Sequence, residues 1–224
     1  IRYITDTRIF YYNTGSNLGG AGGFNYGLKK ALERNYSRFW LMDDDTIPND
    51  DALSQLTLAD NRLNGTFGWL SSLALWKDGT QCRMNQQKVT GSIFSRADLL
   101  QYGLIPAAQA TFVSLYVTRM VVERVGLPIK DFFIWGDDIE YTRRITTRNQ
   151  INSYLVSNSV VIHEMGSNTG SNIAIDDDDR IERYYYAYRN DCFTYRLEGL
   201  KGSIYYIAKC GKNILRILLK SHNH

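Results

Sequence analysis

The sequence contains little cysteine and proline, no long hydrophobic run and no strong excess of one charge. Its 224 residues include only 3 Cys and 3 Pro, and Cys82, Cys192 and Cys210 are far apart along the chain. An odd number of dispersed cysteines argues against a disulfide framework or a cysteine-based zinc site, and indicates a reducing, cytoplasmic compartment. No apolar run reaches the roughly 18 residues of a membrane span, and no signal peptide opens the chain.

The charge balance gives no indication of a nucleic-acid partner. There are 26 Lys+Arg against 23 Asp+Glu, a net charge of +3, whereas nucleic-acid proteins carry a strongly basic face. Hydrophobic residues make up 44% of the chain, which is enough for a real core in one large domain, or in one domain with a terminal appendage. Tyrosine is abundant, at 16 residues, and we interpret most of these side chains as core aromatics.

Alternating strand-like and helix-like segments predict a layered α/β domain with a largely parallel sheet. The predicted strands cover residues 7–13, 38–42, 67–75, 88–95, 112–117 and 156–163. The predicted helices cover residues 24–32, 51–63, 97–102, 119–125, 137–148 and 180–197. We expect a hairpin turn at Asp78-Gly79 and a mobile loop over 164–179. This domain would occupy residues 1–200, and residues 201–224 would form a basic amphipathic helix that either docks on it or contacts a membrane.

Three consecutive carboxylates follow the second predicted strand. Asp43, Asp44 and Asp45 come directly after the apolar segment 39–42, at the sheet edge where open α/β sheets bind ligands. Because alternate residues of an extended segment point the same way, Asp43 and Asp45 could share one hard cation such as Mg²⁺ or Mn²⁺. A simple turn followed by a helix N-cap is the structural alternative.

A glycine-dense segment, Asn17–Phe24, lies between the first predicted strand and the first predicted helix. Glycines allow close backbone approach, and a helix N-terminus offers N–H groups to an anion such as phosphate. The segment is neither the dinucleotide fingerprint nor a P-loop. A tight packing turn explains it about as well as ligand binding.

Two further segments place titratable side chains at the ends of apolar runs. Asp137 and Asp138 follow Trp135-Gly136 at a helix start, where the dipole favours ionised carboxylates that can accept a proton. Helix capping would explain one or two of these acids. His163 ends the strand over 156–163 and is one of only 3 His. It is either a metal ligand or an ordinary structural histidine.

Together the four segments resemble the inverting, metal-dependent nucleotide-sugar glycosyltransferases of the GT-A fold, in the branch with bacterial galactofuranosyltransferases and rhamnosyltransferases. The shared motifs are N-x-G-G-A-G-G-F from Asn17, D-D-D from Asp43, W-x-D-D-x-E-Y from Trp135, and the downstream His163. The resemblance runs from about residue 9 to residue 163. It implies a Rossmann-like, three-layer α/β sandwich with a mixed, mainly parallel sheet and C-terminal helices.

The resemblance also implies roles for individual residues. Asp43, Asp45 and His163 would hold Mn²⁺ or Mg²⁺, and Asp138, with Asp137 beside it, would be the catalytic base. The implied donor-binding residues are Asn17, Gly19, Gly20, Gly22, Asp44 and Trp135. The expected donor is a UDP- or dTDP-linked sugar, galactofuranose or rhamnose, and the expected acceptor is a glycan or a lipid-linked glycan. Such an enzyme would work in the cytoplasm, at the inner face of the membrane if the basic tail contacts lipid.

One alternative to an active glycosyltransferase stays open at this point, and a second is disfavoured. Members of the fold begin with a strand of Val-x-Thr-Tyr-Asn-Arg type and a second strand ending in an acidic residue, and neither precedes Ile1. We therefore expect an N-terminally truncated domain without the uridine-side pocket, which could be a non-catalytic nucleotide- or glycan-binding remnant. A nucleotidyltransferase would show a glycine- and lysine-rich first loop, which this sequence lacks.

Overall fold

The computed structural model describes residues 6–91 and 96–220. Its strands are β1 (Arg38–Leu41), β2 (Thr46–Pro48), β3 (Leu70–Trp76), β4 (Lys88–Val89), β5 (Leu104–Gln109), β6 (Leu115–Thr118) and β7 (Tyr154–His163). Its helices are α1 (Gly19–Glu33), α2 (Ala52–Arg62), α3 (Ala97–Leu100), α4 (Arg119–Val125), α5 (Asp137–Arg143), α6 (Asp178–Arg196) and α7 (Gly199–Lys220). Short 3₁₀ turns cover Arg83–Asn85, Phe112–Ser114 and Lys130–Phe132, and a π turn covers Arg144–Arg148.

The strands form one mixed sheet in the order β1-β6-β3-β7-β5-β4, with β2 paired to β7. The α/β class and the mixed sheet are confirmed, but the expectation of mainly parallel pairing is wrong. Among the described strands only β3 and β7 pair in parallel, because β6 lies between β1 and β3 and runs antiparallel to both. Since β1, β3 and β7 still run in the same direction, their carboxyl ends lie at one edge of the sheet.

Helices cover both faces of the sheet and produce the predicted three layers. Successive residues of β6 point to opposite faces, and they belong to two different core clusters. Leu115 and Val117 pack with Leu28 of α1, whereas Tyr116 packs with Leu56 of α2. Each fully buried aliphatic side chain of this kind contributes about 1.5–3 kcal/mol. The two cores therefore fix the sheet between α1 and α2, and with it the sheet edge that carries the acidic residues.

The predicted strand over residues 7–13 is absent. Residues 9–14 have no regular secondary structure, and Ile9, Phe10 and Tyr11 are 54%, 44% and 56% exposed. A β-rich composition stabilises a strand only where a neighbouring strand completes its hydrogen bonds. No described strand pairs with this segment, so its aromatic side chains lie on the surface.

Strand pairing in the middle of the chain also differs from the prediction. The Asp78-Gly79 turn forms, since Trp76 N–H donates to Thr80 O at 2.7 Å. However, β4 pairs with β5 rather than with β3. Only Lys88–Val89 of the predicted strand over 88–95 is in a strand, and residues 92–95 lie outside the described part. The predicted strand over 112–117 begins as a 3₁₀ turn and becomes extended only from Leu115.

The C-terminal region consists of the long helices α6 and α7, which pack against each other. The Tyr195 and Tyr205 ring centroids are 4.8 Å apart, and Lys209 Nζ lies 2.5 Å from Asp191 Oδ2. The docked helix of the sequence analysis is thus present, whereas a domain division at residue 200 stays a prediction and residues 221–224 lie outside the described part. Among the described helices, none combines the length and apolar character needed to cross a membrane.

Candidate active site

A cavity of about 600 Å³ opens at the sheet edge formed by the carboxyl ends of β1 and β7. The acidic trio follows β1 after one residue, Met42. His163 is the last residue of β7, where it pairs with Thr46 of β2 and Trp76 of β3. Asp43, Asp137, Asp138 and His163 all line the cavity. The topology therefore brings together side chains that are up to 120 positions apart, Asp43 and His163 being the outermost.

Asp43, Asp45 and His163 form a cluster whose ligand-type atoms lie within 4.8 Å of one another. His163 Nε2 is 2.9 Å from Asp45 Oδ1. Two carboxylate oxygens with one imidazole nitrogen make a donor set that suits Mn²⁺ or Mg²⁺, so these residues fit a divalent cation. Asp44, between them, is exposed. The metal role of the three residues and the donor role of Asp44 stay predictions.

The electrostatics of the cluster favour a positive ion. Burial raises the pKa of Asp43, and the neighbouring Asp45 and Asp44 carboxylates raise it further, although His163 acts in the opposite direction. A partly buried group of like charges is unfavourable without a compensating cation. A divalent ion at this position would supply that compensation.

Asp137 and Asp138 begin α5, immediately after Gly136, whose left-handed conformation (φ 87°) turns the chain into the helix. Burial raises the pKa of both carboxyl groups, and each is raised further by nearby carboxylates, including Asp43. The Ile139 N–H donates to Asp138 Oδ1 at 2.7 Å, which orients that carboxylate. A cavity-lining carboxylate whose pKa lies above the ordinary range is suited to accept a proton from a bound hydroxyl.

The loop before α5 is strained and held by two neighbouring side chains of α6, Arg189 and Asn190. Phe133 and Trp135 have φ angles of 64° and 61°, in the left-handed region that non-glycine residues rarely adopt. The Asn190 amide donates to the carbonyls of Phe132, Ile134 and Trp135 at 3.0, 3.2 and 2.6 Å. Asn190 thus fixes the approach to Asp137, a role that the sequence analysis did not assign.

Comparisons with known proteins agree with this geometry. No family model matches the sequence. The chain is 29% identical over 147 residues to galactofuranosyltransferase GlfT1 of Mycolicibacterium smegmatis, a match that covers 60% of this chain and 47% of that protein. The chain thus spans about half the length of this curated relative. A crystal structure of GalNAc-T7 with UDP, GalNAc and Mn²⁺ superposes with a TM-score of 0.55 at 14% identity, covering 94% of this chain and 44% of the other.

The chain has the GT-A glycosyltransferase fold. The α/β fold class expected from the sequence motifs is confirmed, and so is the resemblance to GT-A glycosyltransferases. Asp43, the Trp135–Asp138 segment and His163 lie around one cavity of this fold, as the resemblance implied. Asp43 and His163 come at the ends of β1 and β7, whereas the Trp135–Asp138 segment follows a 3₁₀ turn and not the expected strand.

Within the GT-A fold, the glycine-dense segment begins α1 instead of forming a free loop. The Gly19 N–H donates to Asn17 Oδ1 at 2.9 Å, and Ala21 N–H donates to Phe133 O at 3.1 Å. A Cβ on Gly19 would lie 2.1 Å from Phe133 O, and one on Gly22 would lie 2.5 Å from Leu18 Cβ. Close packing therefore explains why glycine occupies positions 19 and 22.

Two of the predicted donor-binding residues line the cavity. Gly20 does so from the start of α1, and Trp135 does so with its ring edge-on to Tyr184, the centroids 5.2 Å apart. Donor binding by Asn17, Gly19, Gly20, Gly22 and Trp135 stays a prediction.

Gly19→Ala is expected to destabilise the protein by about 2 kcal/mol or more, since the new methyl group combines a positive φ with a backbone clash. Gly23→Ala, on the same helix, is the matched control: a Cβ there meets nothing within 4 Å, so alanine should stabilise the helix by about 0.5–1 kcal/mol. Urea denaturation of both variants measures the difference. Equal stabilities would contradict the close approach of α1 to Phe133.

The far side of the cavity is formed by α6 and α7, which the sequence analysis did not connect to the site. Tyr184 and Tyr188 of α6 and Lys209, Asn213 and Arg216 of α7 contribute to the lining. The amphipathic pattern of α7 predicted a helix, but no local signal indicated that one of its sides would face the acidic residues across the cavity.

Proposed function

We propose that this chain transfers a sugar from a nucleoside-diphosphate donor to an acceptor hydroxyl in a metal-dependent, inverting reaction. The observation that carries the proposal is the convergence of two groups on one cavity of the GT-A fold. These are the Asp43–Asp45–His163 cluster and the Asp137–Asp138 pair. The first group fits the cation that such donors require, and the second provides a base.

The proposed reaction is a single displacement. Asp138 accepts the proton of the acceptor hydroxyl while the hydroxyl oxygen forms a bond to the anomeric carbon. The bond from that carbon to the diphosphate oxygen breaks, and its electron pair leaves with the diphosphate. A divalent ion held by Asp43, Asp45 and His163 would stabilise that developing negative charge, a contribution of several kcal/mol.

The sugar we propose first is galactofuranose, because the curated relative is named as a galactofuranosyltransferase. The structural neighbour was crystallised with UDP and Mn²⁺, which supports a UDP-linked donor and Mn²⁺ as the first cation to test. A glycan hydroxyl, free or lipid-linked, is the proposed acceptor. The cytoplasmic face of a membrane is the proposed site of action.

The test is a donor screen in the presence of Mn²⁺, Mg²⁺ or EDTA, with UDP-galactofuranose, dTDP-rhamnose and UDP-glucose as donors. Release of nucleoside diphosphate is followed with and without a glycan acceptor. We expect turnover with one donor, dependence on a divalent ion, and product of inverted anomeric configuration by NMR. Donor binding without turnover in any arm would instead support the non-catalytic alternative.

We also propose that α7 contacts the membrane surface. Its outward side carries Leu200, Ile204, Ile207 and Leu218, which are 78%, 58%, 68% and 66% exposed. Lysines and an arginine lie among them in sequence. A basic helix with an unpacked apolar side binds the interface of anionic bilayers.

Flotation of the full chain with vesicles containing phosphatidylserine tests this contact. We expect the wild type to float and the Ile207→Ser/Leu218→Ser variant to remain below. The matched control is Leu53→Ser/Leu58→Ser on α2, where both leucines are also exposed, and this variant should float like the wild type. Equal flotation of the two double variants would exclude α7 as the contact.

A further inference from the structure

A buried chain of hydrogen bonds leads from Thr111 to the cluster of predicted metal ligands. Asn85 Nδ2 donates to Thr111 Oγ1 at 3.0 Å, and Asn85 Oδ1 lies 2.8 Å from His163 Nδ1. On the other side of the ring, His163 Nε2 faces Asp45 Oδ1 at 2.9 Å. Asn85, Thr111 and His163 are only 8%, 9% and 6% exposed, so these groups depend on each other rather than on water.

The orientation of the Asn85 amide within these hydrogen bonds determines which ring nitrogen of His163 carries the proton. The Asn85 amide is oriented with its nitrogen on Thr111 Oγ1 and its oxygen on the ring of His163, and a carbonyl oxygen can only accept a hydrogen bond. In this orientation His163 Nδ1 is the donor and therefore carries a proton. The neutral ring then presents the lone pair of Nε2 to the cavity side.

The consequence is an arrangement of two acceptors facing each other. The Nε2 lone pair and the Asp45 carboxylate oxygen are both electron-rich, and their close approach is favourable only with a proton or a metal cation between them. A cation bound jointly by His163 and Asp45 satisfies both atoms. Hydrogen bonds from the non-ligating nitrogen of a histidine commonly set the tautomer that a metal needs.

We infer that Asn85 is a positioning residue that holds His163 with Nδ1 protonated and Nε2 directed to a divalent cation. The inference rests on the proposed function, since it concerns the cation of that same site. Asn85 is delivered by the 3₁₀ turn Arg83–Asn85, where its N–H donates to Cys82 O at 3.2 Å. Without Asn85, the ring could place its proton on Nε2 and donate it to Asp45, which would block both ligand atoms.

Binding of Mn²⁺ alone, followed by electron paramagnetic resonance of the free ion, is the first test. Asn85→Leu is expected to weaken Mn²⁺ binding by about 10–100-fold, the usual loss on removing a partner of a metal-ligating histidine. Asn85→Asp keeps an acceptor for Nδ1–H and should retain Mn²⁺ binding within a few-fold. Asn61→Leu, at an exposed position of α2, is the control and should bind as the wild type does.

The tautomer itself is the second test and needs no variant. Long-range ¹H–¹⁵N spectra of the metal-free protein at pH 9 report which nitrogen of each histidine is protonated, and there are only 3 His in the chain. We expect the Nδ1–H form for His163. An Nε2–H form in the wild type would overturn the inference, because the Asn85 amide would then present its nitrogen to the ring.

The two tests separate this inference from the proposed function. If the wild type binds Mn²⁺ and Asn85→Leu binds it equally well, Asn85 has no positioning role and the metal site stands. If the wild type binds no Mn²⁺ while His163 is in the Nδ1–H form, the metal dependence of the proposed function fails and takes this inference with it.

Discussion

Asp138→Asn is expected to lower kcat by about 10²–10⁴-fold, the usual contribution of a positioned general base. The amide is nearly the same size as the carboxylate and can still accept the Ile139 N–H. It cannot, however, take the proton of the acceptor hydroxyl. Donor binding should change little, since the Asp43–Asp45–His163 cluster is untouched. Turnover and donor affinity, measured separately, check both expectations.

The pKa of Asp138 supplies an independent check on folding. Because burial raises this pKa above its ordinary value, the folded state binds more protons than the unfolded state between the two values. The carboxyl group therefore makes stability fall as pH rises through that window. Asp138→Asn should remove this loss and raise the melting temperature at pH 8 relative to the wild type, so that activity falls while stability rises.

The raised pKa of Asp138 also predicts how kcat/KM changes at acidic pH. Catalysis requires deprotonated Asp138, so kcat/KM should fall as pH decreases through a value above the ordinary aspartate pKa of about 4. Asp131→Asn is the control, because Asp131 is exposed and lies just before the same loop. Near-normal turnover in Asp138→Asn, or a loss equal to that of Asp131→Asn, would remove Asp138 from the role of base.

The convergence of Asp43 and His163 was predictable because strand direction determines it, whereas Asp137 and Asp138 follow no strand. Apolar runs end at Asp43 and at His163, and β1 and β7 run the same way in the sheet. Their carboxyl ends therefore meet at one edge, even though β6 separates β1 from β3. The prediction of a largely parallel sheet was wrong, but the predicted site did not depend on it. The site requires that β1 and β7 run in the same direction, and it does not require that they be neighbours in the sheet.

Other features depend on tertiary contacts that leave no local pattern. β5 contains Pro106, which disfavours a central strand, yet it pairs with β4 on one side and β7 on the other. Asn85 lies in a polar 3₁₀ turn 78 positions before His163, and a single asparagine has no periodicity to detect. Asn190 lies in the predicted helix over 180–197, but its contact with the strained loop required coordinates.

Asp43→Asn is expected to reduce activity by about 10²–10³-fold at low Mn²⁺ concentration, equivalent to several kcal/mol of transition-state stabilisation. The substitution removes one negative charge and one strong oxygen ligand from the cluster while keeping the side-chain volume. Because the pKa of Asp43 is already raised by burial, loss of its charge should not destabilise the fold. Asp50→Asn, at an exposed position, is the matched control and should leave Mn²⁺ dependence unchanged.

Excess Mn²⁺ distinguishes the two acidic groups of the cavity. In Asp43→Asn the loss lies in metal affinity, so raising Mn²⁺ from micromolar to millimolar concentration should restore part of the activity. In Asp138→Asn the missing group is a proton acceptor, which added metal cannot replace, so the activity should stay low across the same titration. Rescue of Asp138→Asn by Mn²⁺, together with no rescue of Asp43→Asn, would reverse the roles assigned to the two carboxylates.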